Sequence, residues 1–368
     1  MKKLPIIIMT LILLGAVFAL VAYNWLNARN TPETANSVAT VIAVGHSVAA
    51  TDKSGDSDTA AIVAAAEALL ATLDGELLTA INDTFDSSNR ADWSNLPAQI
   101  VGRTGARLGD MSDKQLTAFY EFLAVALGKQ GFQKASQIIL ADGVLGAANN
   151  YWMGWGSDNY WIAFYGTPST TEAWGWQLDG HHLAINSTIV GDSVTMSPSF
   201  IGIEPTEYSY GGVTYRPLAN EVDKAFALLN ALDSNQQSVA IISSEPGEMV
   251  AGAGNDGVLP DVAGIVASDL SSEQQAMLLD LIGEWVNNLP SPAAAARLAA
   301  IEADFGATTF AWTGDTSDDG TIYYRIQGPT LLIEFQVEGN LGADEGHYHS
   351  IYRDPTNEYG ARLVRQTD

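Results

Sequence analysis

The chain has 368 residues, no cysteine, and a formal net charge of −26 from 17 basic and 43 acidic residues. Disulfides, thiolate metal ligands and a lipidated N-terminal cysteine are excluded, and so acidic a body repels nucleic acid and anionic lipid headgroups. Some 300 residues suffice to bury a stable core without cross-links.

Lys2 and Lys3 precede an apolar run, residues 4–23, broken only by Thr10. The run is long enough for one helical crossing of a bilayer, and its positive flank predicts export of everything that follows. Residues 1–26 are read as an uncleaved anchor or as a signal peptide with a passable cleavage site after Ala19. Residues 27–58 turn to small and polar types and read as a flexible tether. The body is predicted over 59–368.

Helical spacing of Ile62, Val63, Ala66, Leu69 and Leu70 opens the body over 59–73. Ser112 caps a second helix that Gly128 ends, and a third covers 133–140. Strands are predicted over 159–165, 172–177, 181–190 and 193–198, the last two joined by a turn at Gly191-Asp192. Helices return at 217–232, 271–286 and 293–305. Residues 243–261, rich in glycine, read as a long surface loop. Strands over 308–313, 320–327, 330–337 and 347–352 close the chain. No internal repeat is visible. The pattern predicts one α+β domain with an antiparallel sheet built from a middle and a C-terminal group of strands.

The chain has five histidines. His46 falls in the predicted tether. The other four form two doublets, His181-His182 and His347/His349, and imidazole is the commonest side-chain ligand for zinc, copper and iron. On a strand, His347 and His349 project from one face. Adjacent His181 and His182 project oppositely, so three histidines are expected around one metal. His182 is favoured over His181 because Asn186 shares its face. Three nitrogen ligands leave an open position, as in catalytic zinc. The competing reading is that the histidines hydrogen-bond within an aromatic core.

Glu345, two residues before His347, and Asp179, before His181, are candidates for moving a proton. Arg325, mid-strand, and Arg353, which follows the second histidine pair, are candidates for holding a substrate anion; internal ion pairing is the plainer alternative. Trp174 and Trp176 share a strand face and are candidates for a pocket wall, although tryptophans more often fill a core. Neither a nucleophile elbow, a phosphate loop, a dinucleotide fingerprint nor a zinc-protease helix motif occurs.

Trp174, Trp176 and Gln177 with Gly180-His181-His182, Phe310 and Trp312 before Gly314, Tyr323-Tyr324-Arg325-Ile326, Leu332-Ile333-Glu334-Phe335, and His347-Tyr348-His349 with Arg353-Asp354 and Tyr359-Gly360 resemble the DUF3500 family. The resemblance runs from about Trp93 to the C-terminus. It implies exported proteins of one-domain size and no assigned reaction. The expectation from the residues themselves is a metal-dependent hydrolytic enzyme outside the cytoplasm. It would use a divalent metal, zinc first and copper or iron as variants, on a small or oligomeric organic substrate. A ligand-binding protein without catalysis and a metal carrier are the alternatives.

Overall fold

The computed structural model describes residues 32–49, 58–317, 320–338 and 346–366. They form one α+β domain around a mixed sheet of 12 strands. The chain builds it in two passes of the same order. The first pass runs α2 (Thr59–Leu70), α3 (Gly75–Ile81), β1 (Asn82–Asp83), β2 (Ala106–Arg107), α4 (Asp113–Ala126), α5 (Lys129–Ala148), β3 (Tyr160–Tyr165), β4 (Trp174–Gly180), β5 (Leu183–Val190) and β6 (Ser193–Ile203). A small hairpin, β7 (Tyr208–Tyr210) and β8 (Val213–Tyr215), intervenes. The second pass runs α6 (Ala219–Ala231), α7 (Ser234–Ala240), β9 (Ile241–Ser243), β10 (Ile265–Val266), α8 (Ser272–Val286), α9 (Ser291–Ala303), β11 (Thr309–Gly314), β12 (Ile322–Gly328), β13 (Leu331–Glu338) and β14 (His347–Arg353).

The expectation of no repeat is therefore corrected. β1 pairs parallel with β3, and β9 parallel with β11. β2 pairs antiparallel with β3, and β10 antiparallel with β11. Gly105 and Gly264, both at positive φ, precede β2 and β10, and at each a Cβ would collide with a carbonyl of the neighbouring strand, Ile162 or Phe310. Capping boxes Ser112/Gln115 and Ser271/Gln274 then start α4 and α8. The identities shared by the two passes are few and widely spaced, while the apolar positions between them differ. That is why periodicity alone does not expose the duplication. The passes meet where β6 pairs antiparallel with β14, so the sheet is continuous across them.

Register sorts the sheet into two unlike faces. One carries Trp174, Trp176, Leu178, Phe310, Trp312, Tyr324 and Phe335, all buried in the main core with helical residues such as Phe122 and Leu281. The other carries Gln177, Asp179, Asn186, Arg325, Glu334, His349 and Arg353, with Gln177 across from Asn186 and Arg325 across from Glu334. Helices cover the first face. The second is covered by the two β-to-β excursions that the passes share, residues 84–105 between β1 and β2 and 244–264 between β9 and β10. Trp93, Ala184, Phe200, Ala251, Leu332 and Ile351 form a small separate core beneath them.

The flexible tether is a second correction. Residues 32–49 form α1 (Pro32–Ala49), and Val38, Val41, Ile42 and Val48 are buried in the main core. Four apolar residues at helical spacing are enough to seat this helix, although the small residues between them mimic a linker. His46 is exposed on it. The apolar run 4–23 lies outside the described residues, and among those described no helix is long and apolar enough to cross a membrane. A short helix, α10 (Ala361–Arg365), ends the described chain.

Candidate metal centre

His181 and His182 form the two-residue turn between β4 and β5, not the start of a strand. His182 adopts φ +63°, a left-handed conformation uncommon outside glycine. Its carbonyl accepts from Gly202 N at 2.6 Å, and its N–H donates to Asn95 O at 3.3 Å. These bonds hold the turn over the end of β6. On the far side of β6, His349 pairs in register with Gly202. The glycine is required there, since a Cβ would press on His349 Cδ2 at 2.9 Å and His182 Cδ2 at 3.0 Å.

The rings of His182, His347 and His349 converge, with one ligand nitrogen from each lying within 4.8 Å of the others. His182 Nε2 and His347 Nε2 are 2.7 Å apart. His349 Nε2 is buried and has no hydrogen-bond partner among the described residues. Behind the rings stands Glu338, which β13–β14 register places opposite His347. Its Oε2 meets His347 Nδ1 at 3.2 Å and its Oε1 meets His349 Nδ1 at 2.8 Å. One carboxylate thus holds both Nδ1 atoms as donors and leaves both Nε2 lone pairs facing the centre. Outer-shell carboxylates commonly orient metal-binding histidines in this way.

The electrostatics keep this donor set ready. Burial, reinforced by the three neighbouring imidazoles, holds His182 well below the usual histidine range, and burial likewise lowers His349. The two histidine hydrogen bonds hold Glu338 far below the usual carboxylate range. Neutral imidazoles backed by an anion suit a divalent cation. Zinc–nitrogen bonds of about 2.0–2.1 Å in tetrahedral array need nitrogens about 3.4 Å apart, within the span these rings already occupy.

His181 stands outside the triad. Its Nδ1 meets Asp142 Oδ1 of α5 at 2.7 Å, and the other Asp142 oxygen accepts from Gly156 N at 3.0 Å. Its ring lies over His182 with centroids 3.7 Å apart. All four histidines line one open cavity of about 690 Å³. The excursion 84–105 contributes Asn95, Leu96 and Pro97 to its walls, and 244–264 contributes Glu248, Met249 and Gly252. Trp155, Phe200 and Glu204 complete much of the rest.

The remaining candidates are placed elsewhere. Asp179 is on the site face of the sheet but is committed to Arg103, with Nε–Oδ2 2.9 Å and both side chains buried. Burial pushes its carboxyl up to about 7 despite that arginine. Arg103 also donates to the carbonyls of Ser94, Leu96 and Val101, so this pair ties a cavity wall to β4. Arg353 is fully buried and saturated by Ala251 O, Gly252 O, Asp256 and Glu358. Arg325 donates to Asp261 O. Neither arginine lines the cavity; Arg353 is ion-paired internally with Asp256 and Glu358, while Arg325 donates to a backbone carbonyl. Trp174 and Trp176 are on the helix-covered face, 0% and 1% exposed, which removes them as pocket walls. Alternation paired them correctly, but nothing in it says which face is open. Glu345 lies outside the described residues. Sequence reasoning missed Glu338, Asp142 and Gly202. For Glu338 the usable signal was its place two residues beyond Gln336 on a strand predicted to end at 337.

A single α+β domain carrying a three-histidine centre at the floor of an open cavity is the class of protein these features define. The chain belongs to the DUF3500 family, whose model, described as "Protein of unknown function (DUF3500)", matches residues 55–361. No curated protein matches the chain, and no solved structure does.

Proposed function

We propose that this protein is a metal-dependent hydrolytic enzyme with zinc at His182, His347 and His349, acting outside the cytoplasm. The observation that carries the reading is the convergence of three imidazole nitrogens within 4.8 Å. They come from residues separated by 165 positions, beside a cavity large enough for an organic substrate. A bound zinc ion lowers the pKa of its water to about 7 and polarises a substrate carbonyl or phosphoryl oxygen. The three rings would supply three ligands to such an ion, one fewer than a closed structural site uses. Glu338 fixes both strand histidines, and Gly202 lets the turn histidine approach them. Asp179, held by Arg103, is withdrawn as the proton acceptor, and Glu345 keeps that role in this reading. The extracytoplasmic assignment is supported by Lys2, Lys3 and the apolar run that follows.

The test is elemental analysis of protein purified without a histidine tag, followed by turnover of an ester and amide panel. About one equivalent of zinc is expected, lost in His347→Ala and His182→Ala and kept in His181→Ala. Turnover by the zinc form alone supports hydrolysis. Zinc without turnover leaves a metal carrier, and no metal under gentle purification leaves a binding module.

A further inference from the structure

We infer that the cavity selects substrates carrying a positive charge, such as an amine or guanidinium group, and rejects anionic ones. The inference rests on the metal-centre reading and names the substrate class of that site. Among the described residues three carboxylates line the cavity, Glu204, Glu248 and Glu338. Among the described residues no lysine or arginine lines it. Glu338 is occupied by the two histidines. Glu204, half-buried just past β6, and Glu248, exposed on the excursion 244–264, have no hydrogen-bond or ion-pair partner among the described residues. An acidic rim alone would signify only a solvated surface. Here it stands beside a separate ligand-seeking feature, the buried and unpartnered His349 Nε2 at the cavity floor.

The arginines that could have received an anion are turned away. Arg103 and Arg353 spend their donors on backbone carbonyls and on Asp179, Asp256 and Glu358, fastening the two excursions that wall the cavity. A divalent cation at the floor would be offset by Glu338 and one wall carboxylate, leaving the second for the substrate. Trp155 and Phe200 add aromatic surface that also favours cations. A charged group in such a semi-enclosed acidic space gains more than it would on an open surface.

Two thiols of similar size, cysteamine and 3-mercaptopropionate, test this on the zinc-loaded full-length protein. The sulfur of each reaches zinc, and the far end reports the cavity charge. Dissociation constants are measured for wild type and for the Glu204→Gln/Glu248→Gln variant, with zinc content determined on the same samples. Comparing the ratio of the two constants between the proteins cancels the thiols' intrinsic difference in zinc affinity. The wild-type preference for cysteamine is expected to exceed that of the variant by about tenfold at low salt and to shrink as salt is raised. Zinc in place with equal ratios in both proteins overturns the charge selection and leaves the metal centre standing. Zinc missing from the wild type overturns the metal centre and this inference with it.

Discussion

Glu338 does the most with the least at the centre. A single carboxylate sets the tautomer of two ligands, so Glu338→Gln keeps the side-chain volume and loses the anion. An amide can accept from one Nδ1–H but presents its NH₂ to the other. Metal affinity is expected to fall about 10–100-fold in competition with a chromophoric chelator, with the far-UV circular dichroism unchanged. Gly202 makes the complementary case. Gly202→Ala forces a methyl against His182 and His349, and overpacking of this kind costs about 1–3 kcal/mol. A loss of zinc with only a small fall in urea midpoint is the expected result. The left-handed His182 fits the same picture, since strained backbone concentrates where geometry serves a site.

The excursions over the polar face are held by buried charges as well as by the small apolar core around Trp93 and Ala251. At pH 8, Asp179→Asn leaves Arg103 buried without its partner, and breaking such a pair costs about 3–5 kcal/mol, read from urea unfolding. The double variant Arg103→Met/Asp179→Leu is expected to recover much of that loss. The pair also sets a pH slope. Asp179 titrates near 7 in the folded chain against an ordinary 3.8. Between those values the native state holds a proton that the unfolded state has released. Its contribution is therefore complete below about 3.8 and is lost as pH rises toward 7. Stability of the wild type should decline across that window more steeply than that of Asp179→Asn.

What the sequence made legible divides along the same line. The longer helices and strands of the body came through because alternation and 3.6-residue spacing are local, whereas α1, α7 and the short strands β1, β2, β9 and β10 did not; His347 with His349 were paired by alternation alone. The turn position of His181-His182 decided which of them joins the triad, and the boundary between turn and strand is the least local of the signals used. Glu338 reaches the histidines through a hairpin whose connection spans residues 339–346, and no pattern within either strand sets that register. Arg325 and Arg353 were noticed for being inward. Whether an inward arginine meets a substrate or a backbone carbonyl depends on loops 64 to 102 residues away in sequence.

The molecule as a whole is two passes sharing one sheet. Either pass alone would present β6 or β14 as a long unpaired edge, which favours aggregation over folding. A single cooperative unfolding transition is therefore expected by calorimetry, with the chain cut between residues 216 and 217 failing to give two soluble halves. The helix α1 belongs to the first pass only. Its four buried apolar residues each contribute about 1.5–3 kcal/mol, so a chain shortened to begin at residue 58 should melt well below one beginning at residue 32.

The hairpin turn at His182 has a twin. Gly328, Pro329, Thr330 and Leu331 repeat the turn of Gly180, His181, His182 and Leu183, which sets Thr330 at the place of His182. Register sets Val190 with Ser193 where Glu338 meets His347, and Thr188 with Thr195 where Gln336 meets His349. The C-terminal turn Glu358–Gly360 closes over that end, with Arg90 bridging Thr188 and the Tyr359 carbonyl. One backbone frame has thus been used twice, once as an open socket furnished with imidazoles and once as a blank with the C-terminal turn laid against Thr188, and the blank is the natural control against which the furnished socket can be judged.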